Sequence, residues 1–123
     1  MFGFLRSAPA PRLDPAEAVR AVAAGEALII DVREPAEVQG SGKASGSINL
    51  PLGRLPALAN PASGQHDKRL KAAKAADQPI YVYCASGARS ERAAAILRQH
   101  GHAQVINLGT LQTWQAGGGA VVR

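Results

Sequence analysis

The chain has 123 residues, of which 46% are hydrophobic, and this size fits one domain that buries its own core without a disulfide or a metal. Fourteen Lys and Arg against nine Asp and Glu give a net charge of +5, but aromatic residues are few and no dense basic stripe occurs, which argues against a nucleic-acid partner. A single cysteine excludes an intramolecular disulfide and a multi-cysteine metal site, and we predict neither a metal nor another cofactor.

The amino-terminal stretch divides into a lead-in and a helix. Residues 1–12, which include two prolines, are predicted to be a flexible lead-in, and residues 13–123 to form the single domain. The lead-in lacks the long apolar core of a signal peptide, which predicts a cytoplasmic location. No stretch of the chain approaches the ~20 apolar residues of a membrane span. The sequence Asp-Pro-Ala-Glu at residues 14–17 is a typical helix start, and the helix is expected to end before Gly25.

The remaining predicted elements alternate between strands and helices. Continuous apolar runs predict buried strands at residues 27–32, 48–50, 79–83 and 105–108. The other patterns predict a short helix within 33–38, a loop at 40–47, helices at 53–60, 64–76 and 88–99, and a helical turn at 110–115. This alternation predicts a three-layer α/β fold, with a central parallel sheet of about four or five strands, the strand at 79–83 away from its edges, and helices on both faces.

Cys84 lies between the predicted strand at 79–83 and the predicted helix at 88–99. Its thiol is therefore expected at the carboxyl end of a strand, where ligands bind in parallel sheets, and at the amino end of a helix. Unpaired backbone N–H groups and the helix dipole at such a place favour a thiolate and leave room for an anion. The position indicates a nucleophile, and the alternative is a small buried hydrophobic residue.

Four short motifs follow one another along the chain: I-D-V-R-E at residues 30–34, G-S-I-N-L-P at 46–51, C-A-S-G-A-R-S at 84–90, and N-L-G at 107–109 with Trp114. They are similar to the D-V-R-E, G-A-x-N-I-P, C-x-x-G-x-R-S and L-x-G-G…W segments of the rhodanese family of sulfurtransferases. Because they span nearly the whole chain in the family's order, the chain resembles a single-domain rhodanese-like sulfurtransferase.

The resemblance implies a thiosulfate sulfurtransferase that works by covalent catalysis on Cys84. The thiolate would take the outer sulfur of a small anionic donor such as thiosulfate and carry it as a persulfide. Cyanide or a thiol, with a protein acceptor as an alternative, would then remove it. A positive field around the protein attracts such a donor.

The resemblance also assigns roles to the residues around Cys84. Substrate binding falls to the planar guanidinium of Arg89 and to the backbone N–H groups of the loop, at Ala85, Ser86, Gly87 and Ala88. Loop support falls to Asp31, Arg33 and Ser90. For the first two, we expect Asp31 to accept N–H groups of the turn and Arg33 to pair with a carboxylate, and a catalytic role is the alternative.

Two other functions compete with this interpretation. A Cys-dependent phosphatase or arsenate reductase also uses a Cys…Arg loop before a helix, but tyrosine phosphatases have C-x5-R, whereas four residues separate Cys84 from Arg89. A non-enzymatic rhodanese-like module that carries sulfur or binds a partner is the second. Retention of both the cysteine and the arginine favours the enzyme.

Overall fold

The computed structural model describes residues 13–123, and the predicted lead-in at residues 1–12 lies outside them. The helices are α1 (Pro15–Ala23), α2 (Pro35–Ser41), α3 (Leu55–Ala59), α4 (Lys68–Ala75), α5 (Ala88–Gln99) and α6 (Leu111–Ala116), and a 3-10 helix at Leu52–Arg54 precedes α3. The strands are β1 (Leu28–Asp31), β2 (Lys43–Ala44), β3 (Ile48–Asn49), β4 (Ile80–Cys84), β5 (Val105–Thr110) and β6 (Val121–Val122). Within the described residues, none of the helices has the length and apolar character needed to cross a membrane.

Four strands form one parallel sheet in the order β3-β1-β4-β5, which confirms the predicted parallel sheet. β4 lies in its interior, as predicted, and all five of its residues are buried. Its apolar run is continuous because helices cover both faces of the sheet. β2 and β6 pair in a separate antiparallel sheet that was not predicted.

The helices cover the two faces of the sheet in separate layers. One face packs against α3, α4 and α5, whose Leu55, Leu70 and Leu97 have no exposed surface. The other face packs against α1 and α6, which contribute Ala18 and Trp114. Burial of each large apolar side chain contributes about 1.5–3 kcal/mol. The predicted three-layer fold is confirmed.

The segment predicted as a loop at residues 40–47 is partly regular in the structure. α2 continues to Ser41, and Ala44 of β2 pairs with Val121 of β6. The turn between them has Gly42 at a φ of 81°, and a Cβ on Gly42 would lie 2.7 Å from the Val122 carbonyl oxygen. Both facts require glycine there.

The helix predicted at residues 64–76 begins later, at Lys68. The Asp67 carboxylate accepts the backbone N–H groups of Arg69, at 2.8 Å, and Leu70, at 3.2 Å. This cap fixes the first turn at Asp67, because a capping residue has non-helical backbone angles.

Candidate active site

Cys84 is the last residue of β4, and a short turn connects it to α5 at Ala88. The turn ends at Gly87, whose φ of 96° is a conformation that glycine adopts without strain. The backbone thereby returns toward the sulfur. The Gly87 N–H lies 3.0 Å and the Ser90 N–H 3.4 Å from Cys84 Sγ.

These contacts determine the charge state of the thiol. Burial raises the pKa of Cys84, which is 1% exposed, but hydrogen bonds from the Ser90 hydroxyl and from the backbone N–H groups of Ser90, Ser86 and Gly87 outweigh it. The net pKa lies below the ordinary value because these donors bind the thiolate more strongly than the thiol. The backbone therefore stabilises the thiolate form of Cys84, which is the reactive form of a cysteine.

Cys84 opens into a pocket of about 200 Å³ that we call the Cys84 pocket. Its lining comes from four parts of the chain: Arg33, Ser41, Cys84, Ala85, Leu111 and Gln112. Of the substrate-binding residues predicted from sequence, Ala85 is in this lining. Arg33, predicted to support the loop, brings a guanidinium to the pocket that contains the sulfur.

Arg33 is held in place by a buried ion pair with Asp31. Its backbone N–H donates to Asp31 Oδ1 at 3.0 Å, and its Nη2 donates to Asp31 Oδ2 at 2.7 Å. Nη1 donates to Ser41 Oγ at 2.6 Å and Nη2 to the Gly42 carbonyl oxygen at 2.7 Å. The Tyr83 hydroxyl donates to Asp31 Oδ2 at 2.6 Å. The charge of Asp31 is thus compensated, and Arg33 is fixed with little freedom.

Arg89 lies at the start of α5 and forms a two-pronged ion pair with Glu37 of α2. Its Nη1 and Nη2 donate to Glu37 Oε1 and Oε2 at 2.7 and 2.9 Å. This pairing lowers the pKa of Glu37 to about 2. Glu37 raises the pKa of Arg89, and the negative charge of Cys84 adds to that rise. The charges of Arg89 and Cys84 are therefore close enough to interact, although Arg89 is not in the lining of the Cys84 pocket.

Ser90 connects the sulfur of Cys84 to Asn107, a residue to which the motif comparison gave no role in the site. Its hydroxyl lies 3.4 Å from Cys84 Sγ and 2.7 Å from Asn107 Oδ1, and its single hydrogen can be donated to either of them. Asn107 is in β5, and Glu37 and Gln112 are likewise parts of the site that were not predicted. Asn107 belongs to the N-L-G motif near a strand's carboxyl end, which is the one sequence feature that could have indicated it.

A hollow larger than the Cys84 pocket lies elsewhere in the described structure. It measures about 280 Å³ and is lined mostly by apolar residues: Val19, Val22, Ala23, Ser45, Gly46, Trp114 and Ala120. This lining contains neither a cysteine nor an ionisable side chain, whereas the smaller Cys84 pocket contains both Cys84 and Arg33.

Two curated relatives align with most of the chain. An uncharacterized protein of Bacillus subtilis, YqhL, is 38% identical over 90 residues, which are 72% of this chain and 61% of that protein. The chain therefore spans less than two thirds of the length of YqhL. A sulfurtransferase of Allochromatium vinosum is 31% identical over 98 residues, which are 79% of each chain.

Solved structures share the fold. A Rhodopseudomonas palustris protein of unknown function, RPA3614, described as a possible tyrosine phosphatase, has a TM-score of 0.73 at 27% identity and covers 88% of this chain and 81% of its own. The single-domain sulfurtransferase RDL2 of Saccharomyces cerevisiae has a TM-score of 0.65 at 28% identity, and the match covers 92% of this chain and 95% of RDL2. The model of the rhodanese-like domain matches residues 14–116. The chain therefore belongs to the rhodanese-like domain family.

Proposed function

We propose that this protein is a sulfurtransferase that moves a sulfane sulfur from thiosulfate, or a similar anionic donor, to a thiol or to cyanide. The observation that carries the proposal is the Cys84 pocket. It combines a thiol of lowered pKa with the buried guanidinium of Arg33. A nucleophile beside a fixed cation suits a small donor whose leaving group is an anion.

The first half-reaction forms a persulfide on Cys84. The thiolate attacks the outer sulfur of thiosulfate, a new S–S bond forms, and the S–S bond of thiosulfate breaks. Sulfite leaves with the electron pair of that bond. We assign the Gly87 and Ser90 N–H groups, at 3.0 and 3.4 Å from Sγ, to the stabilisation of sulfur-centred negative charge. We assign the positive charge of Arg33 to the electrostatic stabilisation of the sulfonate oxygens.

The second half-reaction returns Cys84 to the thiolate. A thiolate or cyanide attacks the terminal sulfur of the persulfide, and the S–S bond to Cys84 breaks with its electron pair on Sγ. The product is the acceptor's persulfide or thiocyanate. Ala85 adds no charge to the pocket and leaves space for an acceptor of modest size.

The test is intact-protein mass spectrometry after incubation with thiosulfate. We expect a gain of one sulfur atom that cyanide reverses with release of thiocyanate. The Cys84→Ser variant should show no gain while keeping its circular dichroism spectrum and its thermal midpoint, because serine is close to cysteine in size. Folded wild-type protein that gains no sulfur, or sulfur retained by Cys84→Ser, would overturn the proposal.

A phosphatase is the second candidate, because the RPA3614 structure is described as that of a possible tyrosine phosphatase. In tyrosine phosphatases the loop arginine binds the phosphoryl oxygens, but here both terminal nitrogens of Arg89 are bound to Glu37. We therefore expect no hydrolysis of p-nitrophenyl phosphate. Hydrolysis that depends on Cys84, without sulfur loading, would replace the sulfurtransferase proposal.

A further inference from the structure

The carboxamide of Asn107 in β5 bonds four groups around the cysteine loop. Its Oδ1 accepts the Ser90 hydroxyl at 2.7 Å and the Gly109 N–H at 2.9 Å. Its Nδ2 donates to the Gly87 carbonyl oxygen at 3.1 Å and to Glu91 Oε1 at 3.2 Å. The orientation of the amide is defined, because the Gly109 N–H only donates and the Gly87 carbonyl only accepts.

Two of these partners are the residues that contact the sulfur. Gly87 and Ser90 each direct a backbone N–H at Cys84 Sγ and, through another group, bond to Asn107. The direction of an N–H group depends on the orientation of its peptide unit, and Asn107 restrains both residues. β5 thus supplies Asn107, which restrains the turn, and Gly87 and Ser90 supply the N–H donors to the sulfur.

We propose that Asn107 is a positioning residue for Cys84, which holds Gly87 and Ser90 so that their N–H groups point at the sulfur. This inference rests on the proposed function in one respect only, which is that Asn107 has the same role when Cys84 carries a persulfide. Loss of the anchor lets the turn rotate, and the donors then stabilise the charged sulfur less. A residue that only stabilised the fold would leave the ionisation of Cys84 in the folded protein unchanged.

The charged groups around the sulfur are the same with or without Asn107. Arg33 reaches the pocket from the segment after β1, and Arg89 of α5 is paired with Glu37 of α2. Glu91 of α5 is bound to Nδ2 of Asn107. Replacement of Asn107 by an uncharged residue therefore changes the donors on the sulfur and not the number of charges near it.

The experiment measures the alkylation rate of Cys84 by iodoacetamide as a function of pH, in wild type, Asn107→Ala and Asn107→Asp. Cys84 is the only cysteine of the chain, so the mass of the intact protein reports it alone. In Asn107→Ala we expect the apparent pKa of Cys84 to rise by about one unit, because hydrogen bonds to the thiolate are lost. Asn107→Asp should raise it further, because a carboxylate adds negative charge and cannot donate to Gly87.

Asn60→Ala is the matched control. The Asn60 side chain caps a surface turn by accepting the Ala62 N–H at 2.9 Å, and we expect its loss to leave the pKa of Cys84 unchanged. Circular dichroism identifies the variants that fold; if Asn107→Ala does not fold, Asn107→Leu, which has nearly the shape of asparagine and adds no charge, replaces it in the same measurement. A wild-type pKa in the folded variants would overturn the proposal.

The outcome is independent of the sulfur-transfer assay, because alkylation needs neither donor nor acceptor. A raised pKa in the Asn107 variants supports the positioning role even if wild-type protein takes no sulfur from thiosulfate. Sulfur loading of the wild type, together with an unshifted pKa in both variants, would overturn the role of Asn107 and leave the proposed function in place.

Discussion

Two arginines lie near Cys84, and each is bound to a carboxylate in a different environment. Arg33 and Asp31 are both buried, so removal of either partner would leave an uncompensated charge inside the protein. Arg89 and Glu37 are each about one third exposed, with side-chain accessibilities of 33% and 36%. Solvent screens this second pair, and Arg89 is therefore the arginine that can be replaced without loss of the fold.

Replacement of Arg89 tests whether a positive charge beside the pocket assists an anionic donor. We expect Arg89→Ala to lower kcat/KM for thiosulfate about tenfold, because a positive charge beside the pocket that attracts anions is lost, and to lower kcat/KM for an uncharged donor much less. Arg89→Lys should restore part of the activity, because lysine keeps the charge without the planar fork. Steady-state kinetics with the two donors measure both effects.

Glu37→Gln is the control for the Arg89 variants. It removes the ion pair but keeps the positive charge, so thiosulfate use should stay at the wild-type level or increase. Equal losses with both donors in Arg89→Ala, reproduced by Glu37→Gln, would show instead that the ion pair only supports the loop.

At the scale of the elements, the position of Cys84 could be predicted because the strand, turn and helix around it are continuous in sequence. The apolar run of β4, the turn at Gly87 and the start of α5 are neighbours in sequence, so Cys84 could be placed at a strand end without knowledge of the sheet. Asn107 and Gln112 could not be placed in this way. They reach the site because β5 pairs with β4, where Thr110 lies opposite Cys84 and Asn107 opposite Val82.

The segments that were mispredicted are short and depend on distant partners. β2 and β6 have two residues each, too few for a hydrophobic alternation to be recognised. α4 begins later than the predicted residue 64 because the Asp67 side chain caps its first turn. The parallel sheet was predictable because β4 and most of β1 are continuously apolar and alternate along the chain with helical segments.

Gly119 packs closely against Trp114 of α6, the helix that lines one side of the Cys84 pocket. A Cβ on Gly119 would overlap ring atoms of Trp114, whose Nε1 donates to the Ala120 carbonyl oxygen at 2.8 Å. We expect Gly119→Ala to lower the free energy of unfolding by about 1–3 kcal/mol, the usual cost of overpacking. Denaturant unfolding measures the change.

Gly53→Ala is the comparison for this substitution, because a Cβ on Gly53 meets nothing within 4 Å. Its free energy of unfolding should stay close to that of the wild type. If Gly119→Ala were as stable as Gly53→Ala, the ring of Trp114 would not be held against Gly119 as described.

At the scale of the whole molecule, the stability should depend on pH through His102. This side chain is buried, and its Nε2 has no hydrogen-bond partner among the described residues. Burial lowers the pKa of His102 below the ordinary 6.5, and the positive charges of Lys74, His66 and His100 lower it further. The unfolded chain therefore binds this proton at a higher pH than the folded protein does.

The free energy of unfolding should consequently be largest above the unfolded pKa of about 6.5 and decrease as the pH falls from there toward the folded pKa. We expect His102→Gln to reduce this decrease between about pH 7 and pH 5, as measured by urea unfolding at each pH. An identical slope in His102→Gln would assign the pH dependence to other groups.

The interior position of β4 has a consequence for the time at which the nucleophile appears during folding. Ile30 of β1 and Val82 of β4 are register partners across all of α2, α3 and α4, and β5 follows Cys84 in the chain. Contacts between such distant segments form late, because closing long loops costs entropy before the contacts exist. During synthesis Cys84 therefore emerges before β5 can pair with β4, so we expect its folded surroundings to form only after residues 105–110 have been made.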